Sequence, residues 1–130
     1  MNETEILRID NRGRVVIPKS MRKLLNLDDN SRLMAIADPV AQEIRLVPFL
    51  SDEETILLRI VMKDVPGSLA KIAKIFADMN LNLLYGESKI IKRGEAAEWT
   101  VLSPLPESLE DLKERILKDG DAESVQFLEK

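Results

Sequence analysis

The chain of 130 residues contains no cysteine and no histidine. Their absence excludes disulfides, thiolate nucleophiles and imidazole acid–base chemistry. It also removes the usual ligands of zinc, copper and haem iron, leaving only carboxylates for hard cations. Aromatic residues make up 4% of the chain and none precedes Phe49, which argues against base stacking on single-stranded nucleic acid by the first third. No run approaches the roughly 20 apolar residues that span a bilayer. The polar, acidic opening, with Asn2, Glu3 and Glu5, is unlike a secretion signal. These absences lead us to expect a soluble, cytoplasmic protein with no membrane segment, metal, cofactor or catalytic residues.

What is present is unevenly distributed. A hydrophobic content of 45% suits a globular chain, and the net charge of -4 averages two different halves. Residues 1–50 hold eight basic and seven acidic side chains; the remainder holds eleven basic and sixteen acidic. Between positions 8 and 23 six basic residues stand against one acid, Asp10. Such asymmetry suggests two domains with two jobs.

The first half reads as short strands around one helix. Residues 6–10 and the β-branched residues 15–17 suit strands, joined by a turn at 11–13 where Gly13 can take a positive φ. Pro18 suits the first turn of a helix over 19–25. There Met21, Leu24 and Leu25 recur at the spacing of a core face and leave Arg22 and Lys23 wet. Two further strands are expected near 32–38 and 43–48. Fifty residues bury little surface alone, so this head is expected to fold as a dimer.

Residues 51–54 read as a polar linker, after which the pattern becomes β-α-β-β-α-β. A central strand is expected at 56–62, and a loop at 64–68 in which Ser68 caps the next helix. Leu69, Ile72, Ala73, Ile75, Phe76 and Met79 form its apolar stripe. A hairpin is expected over 82–92 and 95–102 around Arg93 and Gly94. Pro104 and Pro106 precede a second helix carrying Leu109, Leu112, Ile116 and Leu117. Gly120 ends it, and 123–128 supplies the last strand. Tyr85 and Trp99 read as packing residues.

The uninterrupted Gly13, Arg14, Val15, Val16, Ile17, Pro18, followed by the basic pair Arg22 and Lys23, resembles the AbrB-like (SpoVT/AbrB) swapped-hairpin domain over about residues 5–48. The resemblance implies a dimeric, interlaced β-barrel that presents arginines to double-stranded DNA. It makes Arg14 and Arg22 the leading contacts, then Lys23, with Arg8, Arg12 and Lys19 beside them. Paired chains would double this cationic set, and arginine matches guanine edges in the major groove. The alternative use of Arg14 is an exposed ion pair with Asp10 across the turn.

In the second half, Asp64, Val65, Pro66, Gly67, Ser68 and Leu69, with Asn82 and Leu83 further on, resemble the ACT domain from about Thr55 to Leu128. That resemblance implies a ferredoxin-like fold which pairs side by side and binds an amino acid between protomers. Gly67 would let a ligand approach, the helix start after it would favour a carboxylate, and Asp64 and Asn82 would meet polar ligand groups. The sequence thus leads us to expect a mixed α+β chain of two domains, 1–50 and 55–130, forming a homodimer or, through ACT pairing, a tetramer or higher assembly. Its expected function is amino-acid-controlled DNA binding in transcription. The competing readings are an antitoxin-like protein that binds DNA and a toxin, and a regulatory subunit of an amino-acid biosynthetic enzyme.

Overall fold

The computed structural model describes residues 2–49 and 54–128. The chain divides into two compact units, Met1–Ser51 and Asp52–Lys130. Residues 51–53 of the expected linker lie outside the described residues. Its last residue, Glu54, accepts a hydrogen bond at its carbonyl from the Leu105 N–H at 2.9 Å.

The first unit opens on the expected turn. Gly13 adopts φ 77°, its N–H donates to the Asp10 carbonyl at 3.0 Å, and the Asp10 N–H donates to the Arg14 carbonyl at 2.9 Å. No ladder joins the flanking residues 6–10 and 15–17, so the two strands expected there are absent from the sheets of the single chain. β-Branched residues favour an extended backbone, but a ladder also needs a free strand edge beside it. Among the described residues, the strands of this unit, β1 (Arg32–Asp38) and β2 (Glu43–Phe49), pair only with each other. Their antiparallel register runs from Arg32↔Phe49 to Asp38↔Glu43. Asp38 Oδ1 closes their connection by accepting from the N–H groups of Val40 and Ala41, each at 3.1 Å.

Helix α1 spans Lys19–Leu24, with Pro18 at the capping position rather than inside the first turn. Asn26, at φ 55°, ends it. The Asn26 and Leu27 N–H groups donate back to the Lys23 and Arg22 carbonyls, a left-handed C-terminal cap. The core face expected of α1 is not enclosed: Met21 is half-buried, while Leu24 and Leu25 are 45% and 51% exposed. Val15 and Val16 are exposed too. None of the described side chains of this unit is buried. A two-stranded sheet and a six-residue helix have too little surface to enclose an interior.

The second unit follows the expected order: β3 (Thr55–Met62), α2 (Ser68–Asp78), β4 (Tyr85–Lys92), β5 (Ala96–Pro104), α3 (Leu109–Lys118) and β6 (Ser124–Leu128). The sheet order is β4-β5-β3-β6, and every neighbouring pair is antiparallel. Alternation along β3 turns Leu58, Ile60 and Met62 inward, where they meet Trp99 and Val101 of β5 and Val125 of β6. Ile72, Ile75 and Phe76 of α2 and Leu112 and Ile116 of α3 complete the core. The Phe76 and Trp99 rings meet edge to face at 6.0 Å. Gly120 sits where the helices close: a Cβ there would lie 2.6 Å from the Ile116 carbonyl oxygen and 2.9 Å from Ile75 Cδ1.

The local departures have identifiable causes. Gly67, at φ 90°, holds the capping position of α2, so Ser68 is the first helical residue and makes no side-chain cap. Leu69 of the expected stripe is 40% exposed because it lies in the first turn, ahead of the buried Ile72. Strand β4 begins at Tyr85 rather than 82; Leu81 and Leu83 pack on the core before the ladder starts. The cap of α3 comes from Ser108, whose Oγ accepts from the Asp111 N–H at 3.1 Å.

Candidate functional site

The basic segment is organised by its only acid. Asp10 Oδ1 accepts from the backbone N–H groups of Arg12 and Arg14, each at 2.9 Å. Its Oδ2 accepts from Arg14 Nε at 2.8 Å. The Arg14 N–H, the Arg12 N–H and the Arg14 guanidinium, in that order, hold the Asp10 carboxyl below its ordinary range. The ion pair foreseen as Arg14's alternative use therefore exists, with the arginine side chain 66% exposed. On α1, Arg22 and Lys23 occupy the last turn, where cations complement the helix dipole. Arg22 Nε also donates to the Ile17 carbonyl at 3.0 Å, tying the helix to the segment before it. All six expected DNA contacts, Arg8, Arg12, Arg14, Lys19, Arg22 and Lys23, are exposed.

In the second unit the β3–α2 loop borders an open groove of about 490 Å³. Of the expected ligand residues, Asp64, Val65, Ser68 and Leu69 line it. Pro66 and Gly67 shape the loop without lining the groove, Asn82 is exposed elsewhere, and Leu83 packs on the core. The opposite wall, including Ser88 and Ile90 of β4 and Ala97 of β5, was not foreseen. Alternation marks Ser88 and Ile90 as sharing a face, but only the sheet order brings that face to the loop.

Asp64 has a different occupation from the one expected. Its Oδ2 accepts from the Gly94 N–H at 2.7 Å, and its own N–H points to the Glu95 carbonyl at 3.4 Å. The carboxylate ties the loop to the β4–β5 turn, so an incoming ammonium would have to share it. The side chains that remain for a ligand are mixed, the apolar Val65, Leu69 and Ile90 beside the charged Lys63, Lys89 and Glu98, with Ser68 at the start of α2.

Residues 56–119 match the family model of the ACT domain. The second unit is an ACT domain. Its four-stranded antiparallel sheet and two helices are the ferredoxin-like arrangement expected from the strand order. No curated protein matches the chain. Among the described residues no group of three or more carboxylates is placed to hold a metal ion, and no helix is long and apolar enough to cross a membrane.

Proposed function

We propose that the chain is a DNA-binding regulator: its first unit pairs with a second copy and grips duplex DNA, and its ACT domain binds an amino acid that adjusts the grip. The state of the first unit carries this reading. Ile6, Ile9, Val16 and Ile44 are 97%, 71%, 75% and 73% exposed, on a unit that has no buried described side chain and bears six solvent-facing cations. Apolar exposure concentrated in so small a unit fits a partner surface, and the AbrB-like resemblance of residues 5–48 supplies the partner, a second copy. Pairing doubles the cationic set on one assembly, and each phosphate neutralised releases counterions.

ACT domains bind amino acids and often pair. The groove suits a small ligand: the first-turn N–H groups of α2 favour a carboxylate, and Val65, Leu69 and Ile90 offer apolar contact. A ligand with different affinities for two arrangements of the dimer would shift their populations, with coupling of about 1 to 3 kcal/mol.

The test uses the full-length chain. Binding to a short duplex should weaken about a thousandfold between about 50 and 200 mM salt if six phosphates are engaged, and Arg14→Ala should weaken binding at fixed salt. Thermal-shift screening against the twenty amino acids should find one that stabilises the fold by about 2.7 kcal/mol at a hundred times its dissociation constant. An amino-acid response without duplex binding would instead favour a regulatory subunit of an enzyme. No response to either would remove the reading.

A further inference from the structure

Asp10 is out of place on a surface meant for DNA, because a carboxylate there repels phosphate. Yet this one side chain organises the whole turn. Oδ1 takes the N–H groups of Arg12 and Arg14, Oδ2 takes Arg14 Nε, and its backbone bonds to Arg14 and Gly13. Both members of the ion pair are substantially exposed, 41% for Asp10 and 66% for Arg14, so the pair adds little to stability. Its effect is on geometry.

We propose that Asp10 is a positioning residue for sequence readout, holding Arg14 ready for a base edge while Arg12 is left to meet phosphate. The proposal rests on the DNA-binding function argued above. Arginine carries five N–H donors, and Asp10 engages one of them, Nε. The terminal donors, whose spacing matches O6 and N7 of guanine, are not spent on Asp10. The origin of the Arg14 side chain is fixed as well, through its backbone N–H. A side chain ordered beforehand loses less freedom when it docks, which favours the one base geometry it fits. Asp10 holds Arg12 only by its backbone N–H. An exposed cation whose side chain Asp10 does not hold suits the phosphate chain, which carries no sequence information directly. The cost of the carboxylate is then paid in non-specific affinity and recovered as discrimination.

The decisive variant is Asp10→Asn in the full-length chain. Asparagine keeps an oxygen for the two backbone N–H groups but sets an N–H₂ against Arg14 Nε, so the turn survives and the side-chain clamp is lost. The probes are a duplex selected by the wild-type chain from a random pool and the same duplex scrambled. We expect the variant to bind the scrambled duplex more tightly, since a repelling charge has gone. Its preference for the selected duplex should fall by about three- to tenfold, with an unchanged melting temperature. Arg12→Ala should weaken both duplexes alike and reduce the salt slope by about 0.9 per copy. Undiminished preference in Asp10→Asn overturns the positioning role and leaves DNA binding intact. Equal loss on both duplexes with a lowered melting temperature also overturns it, by making Asp10 merely structural. A wild-type chain that binds no duplex overturns the proposed function itself, and the positioning role with it.

Discussion

Replacing Ile9 by aspartate separates a self-sufficient first unit from one completed by a second copy. In the single chain Ile9 is 71% exposed, so for a monomer the change is a surface substitution worth within about 0.5 kcal/mol. Leu7 and Ile9, like Val15 and Ile17, recur at the two-residue spacing of a strand face. If that face closes against a partner, each protomer loses most of the roughly 1.5 to 3 kcal/mol of burying an isoleucine, about 1 to 2 kcal/mol for the fraction now exposed. A dimer contains the lesion twice, giving about 2 to 4 kcal/mol, or about thirtyfold to several-hundredfold weaker self-association. Burial of the new carboxylate would add to this. Sedimentation equilibrium of the full chain, with Asn30→Asp as an exposed control, reads the effect directly. A wild-type chain that is monomeric at micromolar concentration, or an Ile9→Asp chain that associates as tightly as the wild type, would refute the reasoning.

Three further outcomes test the structure itself. Gly120→Ala should destabilise the ACT domain by about 1 to 3 kcal/mol in chemical denaturation. The new methyl would meet the Ile116 carbonyl, which is backbone and cannot swing aside, and this outweighs the roughly 0.4 to 1 kcal/mol that alanine saves in the unfolded chain. Ser108→Ala should cost about 1 kcal/mol by leaving the Asp111 N–H without its cap. Because the Asp10 carboxyl is held below its ordinary range, its contribution to the turn is complete above a pH of about 4 and is lost as pH falls through the lowered value. An NMR titration of the Asp10 carboxyl should therefore reach its midpoint below that of a free aspartate; a midpoint at or above it would contradict the hydrogen bonds seen here.

Much of the ACT domain was legible in its sequence because each element there has a partner in the same chain. The alternation of Leu58, Ile60 and Met62 and the helical stripe ending at Met79 describe contacts that a single copy makes. The residues before β4 misled because leucines at 81 and 83 suit a strand by composition, yet the core captures them first. Ser68 is the better capper by side chain, but the loop needs a left-handed residue at 67 and glycine supplies it. The half of the groove contributed by Asp64 to Leu69 was visible because those residues are contiguous. Ser88 and Ile90 arrive through the β4-β5-β3-β6 order, which no local pattern encodes. In the first unit, residues 6–10 and 15–17 carry strand composition without a ladder, because local propensity says nothing about where a neighbouring strand comes from.

The hydrogen bond from the Gly94 N–H to Asp64 Oδ2 gives the second unit a built-in gauge. The amide sits at the exposed tip of one hairpin and is held by the loop that leads into α2, so its solvent exchange is slowed only while that bond persists. A small molecule that draws the Asp64 carboxylate toward itself must release that proton to water. One that settles against Leu69 and Ile90 without touching Asp64 should guard it better. The exchange rate of a single backbone proton thus separates the two ways the groove can be filled, before either ligand has a name.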